Sequence, residues 1–151
     1  MTPDDFIKAV GAAAKLSMSK TKIPASFVVA EGALESGWGQ SKLSIEAYNL
    51  FGVKADKAWA GPTIAMPTRE HIDGRWTVVD AKWRKYDSWK EAIDDHASFL
   101  INNPRYKPAF AYADGDGFAH AVAEAGYATD PSYYTKISAI IRQHKLAQLD
   151  T

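Results

Sequence analysis

Asp73-Gly74 is the strongest local constraint on what this chain can fold into. The pair suits the two central positions of a tight hairpin turn, which require left-handed backbone. It therefore sets Ile72 opposite Arg75 and Glu70 opposite Thr77 on two antiparallel strands. The flanks agree, because Thr, Val, Ile and Trp become frequent between Thr63 and Tyr86. On the returning strand Trp76 and Val78 share one parity, whereas Ala81 and Trp83 share the other. That switch predicts a bulge near Val79-Asp80.

Outside residues 63–86 the spacing is helical. Thr2, Pro3 and Asp5 have the form of a helix start, and Phe6, Val10, Ala13 and Ala14 mark one face of a helix ending near Ser17. Ile23-Pro24 opens a second helix that stops at Ser36-Gly37-Trp38-Gly39. A short third helix spans Ser41 to Tyr48. Ser88-Trp89-Lys90-Glu91 is a capping box ahead of a fourth, which Pro104 ends. Further helices follow Asp116, with Gly126 as the stop, and Asp130-Pro131. The pattern is a single α+β domain over residues 1–151, a helical body with a two-stranded lobe inserted and no separate binding domain.

Composition removes several function classes. Eighteen Lys and Arg balance 18 Asp and Glu, which argues against nucleic acid as a partner. With no Cys there is no thiolate metal site and no thiol nucleophile. Apolar runs such as Ala9–Ala14 fall far short of the roughly 18 residues of a spanning helix. The acidic opening Thr2-Pro3-Asp4-Asp5 is unlike a signal peptide. Ser17-Met18-Ser19-Lys20 has the Ser-x-x-Lys form but lacks the partner motifs of that enzyme class. Asp114-Gly115-Asp116-Gly117 opens like a calcium loop, and Phe118 and Ala125 then break the ligand pattern. His71, His96, His120 and His144 lie far apart, so no metal or other cofactor is expected, and His96 reads as a hydrogen-bonded core histidine.

Two carboxylates remain in unusual settings. Glu35 stands at the carbonyl end of the second helix, where the dipole penalises its ionised form, and Trp38 is expected to strip water from it. Those are conditions for a proton donor near neutral pH; the plain alternative is a solvated helix end. Glu70 lies on the hairpin among Arg69, His71 and Arg75, where the commoner fate is a cross-strand ion pair. If the hairpin folds over the body, Glu35 and Glu70 flank a gap as the acid and base of a glycosidase do. Glu31, one turn before Glu35 on the same face, either raises the Glu35 pKa by like-charge repulsion or is merely solvated, and the second is the commoner case. Trp38, Phe51, Trp59, Tyr127, Tyr133 and Tyr134 fall in or beside loops, where rings can serve sugar faces or anchor the loops. Trp89 and Phe99 read as core.

The block Ala33-Leu34-Glu35-Ser36-Gly37-Trp38-Gly39-Gln40-Ser41, followed by Asn49-Leu50-Phe51-Gly52-Val53-Lys54-Ala55, resembles the N-acetylglucosaminidases of glycoside hydrolase family 73. Trp59-x-Gly61-Pro62, Thr68-x-Glu70, Tyr86-x-Ser88, Asn103-Pro104-Arg105-Tyr106 and Gly126-Tyr127-Ala128-Thr129-Asp130-Pro131 match in order. The resemblance implies a lysozyme-like α+β fold and hydrolysis of the β-1,4 bond between N-acetylglucosamine and N-acetylmuramic acid in peptidoglycan. It makes Glu35 the catalytic acid, Glu70 the second acidic residue and Tyr127 a cleft tyrosine of the catalytic set. Trp38, Asn49, Phe51, Trp59 and Tyr133 become substrate-binding residues. Glu31 departs from the Gln that relatives often carry. A muramidase or lytic transglycosylase, or an inactive wall-binding module, are the alternatives. The chain is expected to act as a monomer on peptidoglycan strands. With no flagellar segment or leader in the sequence, it looks like a phage endolysin that waits in the cytoplasm and reaches the wall through a phage pore.

Overall fold

The computed structural model describes residues 1–151. Helix α1 spans Pro3–Thr21, opened by a capping box in which Thr2 accepts from the Asp5 N–H while the Asp5 carboxylate accepts from the Thr2 N–H. It runs one turn beyond the expected Ser17, because Lys22 rather than Ser17 adopts the left-handed capping conformation. Helix α2 spans Ala25–Ser36, and α3, capped by Ser41, spans Lys42–Ala47. The hairpin follows as β1, Thr63–Ile72, and β2, Arg75–Arg84. Helix α4 is Trp89–Asn102, α5 is Gly115–Glu124 and α6 is Tyr133–Gln143. Two 3₁₀ segments, Pro104–Ala111 and Leu146–Asp150, lie where the sequence indicated no element. Half of the expected capping box at α4 forms: Ser88 caps the Glu91 N–H, and Glu91 turns to the Asp87 N–H instead.

The hairpin is regular from end to end. Pairing runs from Thr63↔Arg84 to Ile72↔Arg75 in one register, with Glu70 opposite Thr77. No bulge occurs at Val79-Asp80. Asp73 (φ +51°) and Gly74 (φ +78°) make the turn in left-handed backbone. The parity switch has another cause. Trp76 and Val78, near the tip, are 67% and 66% exposed, so hydrophobicity there does not report a buried face. The half-buried face carries Ile64, Met66, Thr68, Glu70, Val79, Ala81 and Trp83, and Glu70 is therefore on the side turned toward the protein.

The core is gathered around α2, which packs against α1, α5, α6 and the last 3₁₀ segment. Phe6, Phe27, Leu50, Ile93, Leu100, Phe118 and Ile137 fill it. Its amino end has no capping side chain of its own. Asp150, at the far end of the chain, supplies one: its carboxylate accepts from the Ser26 N–H (2.9 Å) and the Ser26 hydroxyl (2.6 Å), and from the Gly115 N–H at the start of α5 (3.3 Å). The fit explains Gly115, since a Cβ there would stand 2.0 Å from Ser26 Oγ. Asp150→Ala leaves two helix starts short of acceptors. It should cost about 2 kcal/mol in urea denaturation with the m-value unchanged. No helix is long and apolar enough to cross a membrane.

Candidate active site

Helix α2 delivers two carboxyls one turn apart, and its exit sets where the second points. Gly37, Trp38 and Gly39 all take positive φ, the Gly37 and Trp38 N–H groups both donate to the Ala33 carbonyl, and Ser36 ties Gly32 to Gly39. Glu35 sits at this end, exposed, yet with enough protein around its carboxyl that desolvation raises its pKa above 4.5 while the Lys136 charge pulls it down. Trp38 packs as a joint between helices. Its ring lies edge-on to Phe6 (5.6 Å) and against His144 (4.7 Å), joining α1 to the end of α6. Thus α6 passes along α2, setting Tyr133 at Glu31, Lys136 near Glu35 and His144 at Trp38.

Glu31 is the main correction to the sequence reading. It is 2% exposed and fully engaged. Tyr127 Oη donates to Glu31 Oε1 at 2.8 Å and Tyr133 Oη donates to Oε2 at 2.5 Å. Burial pushes the Glu31 pKa up to about 7, the Glu35 charge adds to the rise, and the two hydroxyls work against it. The same burial, with Glu31 alongside, raises both tyrosine pKa values. Tyr127 also meets His96 Nε2 at 2.7 Å, and His96 stacks on Phe51 with centroids 4.0 Å apart and planes 10° from parallel. Enclosure holds the His96 pKa down to about 4, so the ring is neutral at physiological pH. A signal for Glu31 existed in the sequence. From Ala25 to Leu34 the helix is apolar on nearly every side, as a buried helix is, and a lone carboxyl there must find donors.

Phe51, Lys54, Arg84, Asp95, His96 and Tyr127 line a cavity of about 330 Å³, and Phe99 completes one wall. A second hollow of about 610 Å³, lined by Trp59, Gly61 and Asn102 among others, adjoins it across Arg84, Asp95 and Phe99, which line both, and the adjoining pair is termed the groove. Arg84 braces the junction through Asp95 (2.7 Å) and Asp56 (3.1 Å) and lies over the Trp59 ring, while Tyr86 donates to Asp95 at 2.6 Å. Phe99, read from the sequence as core, is 47% exposed on this groove. Its helical spacing from His96 is real, but the cleft replaces the core on that part of α4.

Glu70 finds a partner outside the hairpin. Lys54 Nζ donates to Glu70 Oε1 at 2.7 Å, in place of the cross-strand ion pair expected within the hairpin. Lys54 is itself bridged to Trp83 on β2, so the strap after Gly52 ties the inward face of the hairpin to the cavity wall.

The other sequence candidates divide. Phe51 and Trp59 line the groove, although the Trp59 indole N–H is taken by the Pro62 carbonyl at 2.8 Å. Tyr133 is 3% exposed, so its hydroxyl serves Glu31 rather than an open platform. Tyr134 donates to Asp116, away from the groove. Asn49 is corrected outright as a sugar ligand. It is 1% exposed, its amide donates to the Val53 and Arg84 carbonyls (2.9 and 2.8 Å), and its oxygen accepts from the Val53 N–H (2.9 Å). It clamps the loop that carries Phe51 onto the end of β2.

Residues 11–146 match the family described as mannosyl-glycoprotein endo-β-N-acetylglucosaminidase. This chain belongs to the glucosaminidase family. Among its relatives, the peptidoglycan hydrolase FlgJ of Salmonella typhimurium is 39% identical over 93% of the chain and 46% of its own length. The exo-glucosaminidase LytG of Bacillus subtilis is 37% identical over 96% of the chain and 52% of its own. The chain thus spans about half the length of the curated relatives it matches. The glycoside hydrolase domain of Salmonella typhimurium FlgJ, C-terminally truncated, superposes with a TM-score of 0.83 at 38% identity, covering 95% of this chain and 98% of that one. The lysozyme-like α+β architecture expected from the sequence is the family fold.

Proposed function

We propose that this glucosaminidase hydrolyses peptidoglycan, acting as a monomer on the β-1,4 bond between N-acetylglucosamine and N-acetylmuramic acid. Glu35 donates its proton to the glycosidic oxygen, and Glu70, held by Lys54, positions or activates the water. Tyr127 and the rings of Phe51, Trp59 and Phe99 receive the sugars. One observation carries this reading: Glu35 is an accessible carboxyl at the carbonyl end of α2 whose surroundings hold its proton more tightly than water would. An ordinary solvated helix-end glutamate has no such property. The rings of Phe51 and Tyr127 in one hollow, and of Trp59 and Phe99 in the hollow that adjoins it, offer apolar faces to sugars.

The test is the chemical identity of the sugar end released from purified peptidoglycan, trapped by borohydride reduction. Reduced N-acetylglucosamine is the expected product. Reduced muramic acid would make the enzyme a lysozyme, and an anhydro-muramic end a lytic transglycosylase. Binding to the wall with no new end would leave only a binding module.

A further inference from the structure

Glu31 Oε1, Tyr127 Oη and His96 Nε2 stand in a row with gaps of 2.8 and 2.7 Å. Two gaps need two protons, and a neutral histidine allows two arrangements. In the first, His96 Nε2–H donates to Tyr127, and Tyr127 donates to the Glu31 carboxylate. In the second, Glu31 carries the proton and donates to Tyr127, and Tyr127 donates to a bare Nε2, with the ring proton now on Nδ1. Tyr133 donates to Glu31 Oε2 in both, so neither arrangement leaves a polar atom in the row unpaired. They differ by one proton. His96 Nδ1 makes no hydrogen bond within the protein, and the His96 ring lines the cavity beside Tyr127. Adding a proton at Nδ1 and shifting each bridging proton one atom along converts the first arrangement to the second, with no net charge left on His96 or Tyr127.

We propose that His96, Tyr127 and Glu31 form a two-register proton relay, in which a proton taken up at His96 Nδ1 comes to rest on Glu31, a buried carboxyl one helical turn from Glu35. Glu31 is thereby a positioning residue: its protonation decides which way the Tyr127 hydroxyl points. The relay stands on this hydrogen-bond row alone; its bearing on catalysis rests on the proposed role of Glu35. The groups that face it are Glu35 on α2, Tyr133 and Lys136 on α6, Asp95 beside His96 on α4, Tyr106 against Tyr127 from the 3₁₀ segment, and, across the cavity that His96 and Tyr127 line, Lys54 and Asp56 on the strap and Arg84 on β2. The surface that α1 adds to α2 here is apolar, and Asp150 sits at the opposite end of the helix. With His96 held neutral and Glu31 shifted to about 7, the exchange falls in the neutral range.

The experiment reads the His96 tautomer by nitrogen-15 NMR of the imidazole between about pH 5.5 and 9, a span that keeps His96 neutral. In the wild type the ring should pass from Nδ1–H at low pH to Nε2–H at high pH, with a midpoint near 7. Glu31→Gln, close in shape and unable to titrate, should hold one tautomer throughout. Tyr127→Phe, which removes only the bridging hydroxyl, should also abolish the passage. Glu35→Gln removes the neighbouring like charge, so the passage should persist with its midpoint lowered by at least about half a pH unit. A single tautomer across the range in the wild type, or an unchanged passage in Glu31→Gln, overturns the relay. Full hydrolysis by Glu35→Gln overturns the proposed function instead and leaves the relay standing.

Discussion

Glu35→Gln is expected to lower kcat on purified peptidoglycan by about a hundred- to ten-thousand-fold, the range that loss of a general acid produces. Gln keeps the size of the side chain and removes only the transferable proton. Wall binding and thermal stability should therefore stay near wild type, because Glu35 makes no hydrogen bond within the protein and lies at an exposed helix end. The pH profile gives the sign. A general acid works while protonated, so activity should fall as pH rises through the Glu35 pKa, and desolvation places that limb above the ordinary carboxylate range. Lys136 opposes the rise, and Lys136→Met should move the limb to higher pH. Glu70→Gln should cost less, on the order of ten- to a hundred-fold, since the amide can still orient a water although it cannot take its proton. Turbidity clearance measured as a function of pH for the three variants checks all of this. Equal, complete losses at Glu35 and Glu70 would instead make the two carboxylates a single unit.

Periodicity and turn chemistry carried most of the architecture. Asp73-Gly74 fixed the hairpin and the Glu70↔Thr77 pairing, and Thr2, Ser41 and Ser88 cap the helices they precede. What escaped was set by contacts far apart in the chain. Asp150 caps α2 across 124 residues, so no local pattern could announce the last 3₁₀ segment. The bulge was inferred from hydrophobic parity, which fails where both faces of a two-stranded lobe meet water. In the site, the sequence places Glu35 at the end of α2 and Tyr127 in the loop after α5, and both stand there. Glu31 and Phe99 were misplaced for opposite reasons: each was judged by its own helix spacing, while α6 and the loop after α5 close over Glu31 and the groove opens beside Phe99. Helical phase says which residues share a face but not whether that face meets a helix or a cleft.

The largest effect on folding should come from Asn49→Ala. Three hydrogen bonds end on this one amide, and its removal strands the Val53 N–H, the Val53 carbonyl and the Arg84 carbonyl in a site that is 1% exposed at Asn49. At roughly 1–3 kcal/mol for each buried group left unpaired, with some relaxation toward water, the loss should reach about 3–5 kcal/mol. For a chain of this size that lowers Tm by roughly 6–20 °C. Asn49→Asp should fare no better, because it keeps the acceptor and turns a carboxylate toward two carbonyl oxygens. Differential scanning calorimetry separates this from a sugar-binding role. A ligand residue would leave Tm in place and raise KM, whereas a clamp lowers Tm and takes activity with it, since Val53 and Arg84 fix the loop that carries Phe51 and the strap that carries Lys54. The Lys54 anchor of Glu70 therefore depends on an amide buried away from the cavity.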